Sequence, residues 1–199
     1  MKGISNALIY KNADSKQLTF FATYDLSSLE VLATEAYKSL SKPSQNTVDL
    51  MSRIKKFERR DCQVDFTHQL SGVQLPAKYL LAVSVDLHAD GEETFKKWYR
   101  EEHMERVSER LPGWLRGRIY KCLSQKVLGG QGHTGKADTT EVVSYISIHE
   151  FDRLPNDETP ENKASLETPR MQELVSKYLV GRDRRVFELC KVFESPKPE

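Results

Sequence analysis

Apolar and polar positions follow two different rhythms along the chain. Residues 79–86, YLLAVSVD, form a short apolar and β-branched run, the pattern of an inner strand. The turn His88-Ala89-Asp90-Gly91 follows, and ETFKKWYREEHMERVSERL then takes up a helical period. At 100° per residue Phe95, Trp98, Tyr99, His103 and Val107 share one face, with Lys97, Glu101 and Glu105 largely opposite. Pro112-Gly113 ends this helix. LRGRIYKC (115–122) alternates as a strand, and EVVSYISIHEF (141–151) is a β-branched and aromatic strand. Residues 161–178 read as a helix interrupted at Pro169, and RRVFELCKVF (184–193) as a last strand. The order β-α-β-β-α-β is that of a ferredoxin-like unit.

The first part of the chain repeats this plan incompletely. Gly3 precedes Ile9-Tyr10-Lys11 by the spacing that separates Gly113 from Ile119-Tyr120-Lys121. LTFFATYDL (18–26) then matches the third strand, residues 28–56 hold helical pieces broken near Pro43, and ERRDCQVDF (58–66) matches the last strand. Two tandem units are therefore expected, an incomplete one over 1–72 and a complete one over 78–194. The first lacks a counterpart of the 34 residues 79–112, so the chain begins inside the motif. The missing strand and helix leave a sheet edge and an apolar face to be covered, and a homodimer is one way to cover them.

Composition narrows the function. The formal net charge is +1 over 199 residues, which gives no global reason to bind nucleic acid or an acidic membrane surface. No apolar run approaches the ~18 residues of a membrane span, and the start lacks a signal-peptide pattern. Three scattered cysteines, Cys62, Cys122 and Cys190, suit a reducing, cytoplasmic setting better than a disulfide framework. No two of the five histidines are spaced as metal ligands, so no metal site is expected. GGQGHTGKA (129–137) spells most of a phosphate-binding loop. It has Ala137 where the hydroxyl residue belongs and a strand pattern where the helix should follow, so it reads as a mobile hairpin loop able to cover a pocket.

Two groups of residues carry candidate chemistry. His103 stacks on Tyr99 along the sheet-facing side of the helix, where a partly dry setting can bring a histidine near neutrality for proton transfer. The plainer reading is a core histidine bonded to a backbone carbonyl. Arg116, Arg118 and Tyr120 alternate onto one sheet face. They form either a polar wall that binds a carbonyl, phenolate or carboxylate, or an ion pair with an acid such as Asp86 or Glu188.

The segment Phe95-x-x-Trp98-Tyr99-x-x-Glu102-His103, with Leu111-Pro112-Gly113 and Arg118-x-Tyr120, resembles the EthD-like family of the dimeric α/β-barrel superfamily. The resemblance covers 79–193 well and 3–66 faintly. It implies an α+β fold of tandem ferredoxin-like units whose antiparallel sheets pack as an α/β barrel. It also implies a cofactor-independent enzyme acting on an aromatic or polyketide-like small molecule, as a dehydratase, cyclase or isomerase and less readily as a cofactor-free monooxygenase. The alternative is a non-catalytic ligand-binding or accessory barrel. On this reading His103 and Arg118 are the catalytic candidates, and Trp98, Tyr99, Arg116, Tyr120 and Tyr145 contact the substrate.

Overall fold

The computed structural model describes residues 3–14, 19–40, 44–128, 141–156, 159–160, 163–164 and 167–193. The Gly-rich stretch 129–137 lies outside them. Seven antiparallel strands carry the fold: β1 (Ile4–Asn12), β2 (Phe20–Leu26), β3 (Phe57–Gln69), β4 (Tyr79–His88), β5 (Trp114–Leu128), β6 (Val142–Phe151) and β7 (Leu179–Phe193). Between β2 and β3 lie the short helices α1 (Glu35–Leu40) and α2 (Gln45–Arg53). Between β4 and β5, helix α3 (Glu92–Trp98) runs through a π turn (Tyr99–His103) into α4 (Met104–Arg110). Before β7, α5 (Pro169–Glu173) runs into a second π turn (Leu174–Tyr178).

All seven strands join one sheet in the order β2-β1-β7-β4-β6-β5-β3. The inner four, β7-β4-β6-β5, have the strand order of one ferredoxin-like unit. The strands expected of an incomplete first unit make no sheet of their own. They extend this one, β1 and β2 beyond β7, and β3 beyond β5. The sheet curls into a half-barrel. Asp25 on β2 and Arg118 on β5 stand five places apart in the order, about 24 Å in a flat sheet, yet their charged groups approach to 3.7 Å.

Curling gives the sheet two unlike faces. The helix-bearing face packs Leu81, Leu87, Ile119, Tyr145, Phe151 and Val186 against Phe95, Trp98, Tyr99, Met104, Val107 and Leu174. The concave face holds a second cluster, with Leu8, Tyr10, Leu80, Ala82, Ile146, Ile148 and Phe187. Strand alternation separates them, since neighbours along a strand point to opposite sides.

The helical stretch expected over 161–178 is broken at residues 167–168, just before Pro169, which starts the next helix because a proline at the first helical position gives up no needed N–H; Thr168 caps it by accepting from the Met171 N–H at 3.1 Å. Two strand boundaries differ from expectation. Strand β7 begins at Leu179, five residues before the expected Arg184, since pairing with β4 carries it through Gly181 and Asp183. Strand β5 runs to Leu128, sustained by its long pairing with β3. Among the described residues, no helix is long and apolar enough to cross a membrane.

Candidate functional site

On the helix face the π turn brings His103 back against the aromatic rings that precede it. A π turn adds one residue to the turn and resets the helix phase. The His103 ring lies 4.4 Å from that of Trp98, 5.0 Å from that of Tyr99 and 5.6 Å from that of His149. His149 is buried on β6 and bonded at both nitrogens. Trp114 Nε1–H donates to its Nδ1 at 3.1 Å, and its Nε2 faces Tyr99 Oη at 2.9 Å. An indole N–H can only donate, so Nδ1 carries no proton and Nε2–H donates to the phenol. Burial lowers the His149 pKa to about 4. Burial, with His149 and Arg182 nearby, holds His103 well below the ordinary histidine value. Both imidazoles are neutral at pH 7, and their rings meet edge to face. Trp98 Nε1 and His103 Nδ1 are buried without a hydrogen-bond partner among the described residues. Tyr145, on the same face, donates to Glu92 Oε1 at 2.5 Å. Burial works against the Glu92 carboxylate, but Lys121 and Tyr145 hold its pKa at about 2.

The concave face is built differently. Arg116 grips the fully buried Glu150 with two bonds, Nε to Oε2 at 2.5 Å and Nη2 to Oε1 at 2.8 Å. Arg118 Nη2 lies 3.5 Å from the same carboxylate, and its Nη1 lies 3.7 Å from Asp25. Its guanidinium stands 5.5 Å from the centre of the Tyr120 ring. Asp25 is oriented from β1: Asn6, in the left-handed region at φ 46° beside a bulge, donates from Nδ2 to Asp25 Oδ2 at 2.9 Å. Burial, followed by the Glu150 charge, raises the Tyr10 phenol far above its ordinary value. Burial likewise pushes Tyr120 up to about 12. Both phenols therefore stay protonated as donors. Tyr10 Oη and Arg118 Nε are buried with no hydrogen-bond partner among the described residues. Beside Arg118 opens a cavity of about 350 Å³, bordered also by Asn6, Leu8, Thr23, Asp25, Arg116 and Phe193.

No family model matches the chain, and no curated protein matches it. Solved structures do. An anthrone oxidase-like protein aligns with a TM-score of 0.60 at 15% identity, over 97% of this chain and 79% of its own. A Fusobacterium nucleatum protein provisionally named a monooxygenase aligns with a TM-score of 0.51 at 8% identity, over 97% of this chain and 79% of its own. At these identities the likeness is one of fold: the chain is built as an α/β-barrel protein.

The residues singled out from sequence fall into two places. Trp98, Tyr99, His103 and Tyr145 lie on the helix face; Arg116, Arg118 and Tyr120 lie on the concave face. The sheet stands between His103 and Arg118, so the two cannot share one ligand. The acids beside the arginines are Glu150 and Asp25, in place of the expected Asp86 and Glu188. Asp86 accepts from Ser144 at 2.5 Å, and Glu188 faces Lys78 at 3.7 Å. Sequence reasoning passed over Tyr10, Asp25, His149 and Glu150. The available signal was a titratable pair, His149-Glu150, inside a strand whose other polar residues are only Ser144 and Ser147. Among the described residues, no cluster of three or more His, Cys, Asp or Glu is arranged to hold a metal ion.

Proposed function

We propose that the concave cavity binds an aromatic or polyketide-like small molecule and promotes its enolisation. The observation that carries this reading is an orphaned buried donor, Arg118 Nε, on a residue that borders the cavity together with Arg116 and Asp25. A buried donor without a partner costs about 1–3 kcal/mol, and a ligand oxygen would recover that. The volume falls in the range of small-molecule sites, and Asn6, Thr23, Asp25, Arg116 and Arg118 supply polar groups to its wall.

Among the described residues Asp25 is the one carboxylate bordering the cavity; it is 41% exposed, and Arg118 keeps Glu150 beside it when Asp25 takes a proton. It would accept the proton of a C–H beside a carbonyl, and the electron pair would move onto the carbonyl oxygen. Arg118 would hold that oxyanion, with Arg116 kept in place by Glu150. Such a proton transfer calls for no cofactor. The name of the anthrone oxidase-like neighbour agrees with this chemistry, since an anthrone is an aromatic ketone with an acidic C–H. Dehydration, cyclisation, isomerisation or oxygenation could each follow from the enolate. Tandem units remain our reading of the chain's organisation, and a homodimer our reading of its assembly.

Hydrogen–deuterium exchange at the acidic C–H of anthrone, followed by NMR in D₂O, tests the proposal. The protein should accelerate exchange, Asp25→Asn should slow it by about 100-fold or more while binding persists, and Arg118→Gln should weaken binding. Binding without accelerated exchange would reduce the protein to a ligand-binding barrel. Absence of both would remove the site altogether.

A further inference from the structure

Cys62 on β3 and Cys122 on β5 are direct cross-strand partners, and Cys62 Sγ donates to Cys122 Sγ at 3.4 Å. Directly opposed residues of an antiparallel pair have Cα atoms about 4.5–5.5 Å apart, within the span that a disulfide bridges. Both thiols are free and only partly buried, so small reagents can reach them. A charge sits beside them. Arg60, two residues before Cys62 on the same strand face, donates to Ser84 Oγ at 2.8 Å and pairs with Glu58. The hydrogen bond from Cys62 draws the Cys122 thiol below its ordinary value; burial opposes this and the Arg60 guanidinium reinforces it. Cys62 moves the other way, raised by its bond to Cys122 and by burial. The pair is thus split into a thiolate-prone sulfur and a proton-holding one, which is the division of labour that thiol–disulfide exchange requires.

We propose that Cys62 and Cys122 are a redox-active dithiol that exchanges with low-molecular-weight disulfides. The Cys122 thiolate attacks one sulfur of the oxidant RSSR, forming a mixed disulfide and expelling RS⁻. Cys62 then loses its proton, attacks the Cys122 sulfur and expels the second RS⁻. The two cysteines lose two electrons and two protons in all, and the oxidant becomes two RSH. The product ties edge strand β3 to β5 beside Tyr120, whose ring faces Arg118. Arg60 acts as a positioning residue, through its charge on Cys122.

The test is a thiol count on the full chain equilibrated with oxidised glutathione, with maleimide labelling and peptide mapping by mass spectrometry. Two of the three thiols should disappear together into an intramolecular Cys62–Cys122 bond and return on adding dithiothreitol, while Cys190 still labels or carries glutathione. In Cys62→Ser, Cys122 should stop at the glutathione adduct. In Arg60→Gln, checked for folding by circular dichroism, the pH midpoint of Cys122 alkylation should rise and its rate at pH 7 should drop about tenfold. Retention of both thiols in the wild type, or bonds made only between chains, would overturn the proposal. An unchanged alkylation profile in folded Arg60→Gln would overturn the role of Arg60.

Discussion

Arg116 and Glu150 face each other across β5 and β6 and share two hydrogen bonds, with the carboxylate wholly enclosed. Removing one member leaves a buried charge with a weakened partner, whereas replacing both need not. Arg116→Met should cost about 3 kcal/mol in urea unfolding, the low end of the range for such breaks, because Arg118 stays 3.5 Å away. The double variant Arg116→Met/Glu150→Leu should regain most of that loss. A double variant no more stable than the single one would show that the pair itself supplies the stability.

The His149 site predicts an acid limb of stability. Burial disfavours the charged ring, so the folded protein resists protonation of His149 down to about pH 4. The unfolded chain takes up that proton near pH 6.5. Between these values the unfolded state binds more protons, and stability must fall as pH falls. The loss is on the order of 3 kcal/mol from pH 6.5 to 4, and His103 adds to it in the same direction. Glu92 contributes stability above its unfolded pKa and loses it as pH falls toward 2, mostly below this window. Urea midpoints measured across the range should decline accordingly, and the decline should be shallower in His149→Gln.

The division of the predicted site between two faces can be measured directly. His103→Ala should leave binding of an aromatic ketone such as anthrone within about twofold of wild type, and Arg118→Gln should weaken it by about tenfold or more, the loss of a charged hydrogen bond. Titration by intrinsic fluorescence reads both. If His103→Ala abolishes binding while Arg118→Gln does not, the ligand belongs on the helix face.

Gly117 lets the helix seat on the sheet. A Cβ at this position would run into Met104 Sδ, with Met104 Cε at 2.7 Å and Trp114 Cζ2 at 3.0 Å. Gly117→Val should therefore cost about 2 kcal/mol by overpacking, a fall in Tm of roughly 4–8 °C for a chain of this size. Adding Met104→Ala should give part of it back, because the clash is with that side chain.

Much of the layout was legible from periodicity. The 3.6-residue rhythm placed Phe95, Trp98, Tyr99 and Val107 on the buried face, and alternation placed Arg116, Arg118 and Tyr120 together. The relation between the two groups was hidden by one residue. A register shift lies between Trp114 and Arg116, so Trp114 bonds to His149 on the helix face while Arg116 meets Glu150 on the other. Strict alternation would have put them on the same side, and a bulge of this kind leaves no mark in composition. Asp25 was beyond reach for another reason. Its place beside Arg118 depends on the curl of the whole sheet, which no local pattern encodes. The second π turn and Gly117 likewise have meaning only through what packs on them, Leu174 in the core and Met104 over the glycine.

The strand order also dictates when the chain can assemble. Strand β1 needs β7, where Leu8 lies opposite Val192, and β3 needs β5. During synthesis the strands before β4 therefore leave the ribosome with only the β1–β2 pairing available among the described strands, and β1 waits for β7, the last of these to be made. Folding governed by such distant pairings is slow and leaves unpaired edges exposed meanwhile. The N-terminal strands are thus the part of the newborn chain most dependent on protection, and they should be the last to acquire resistance to proteolysis.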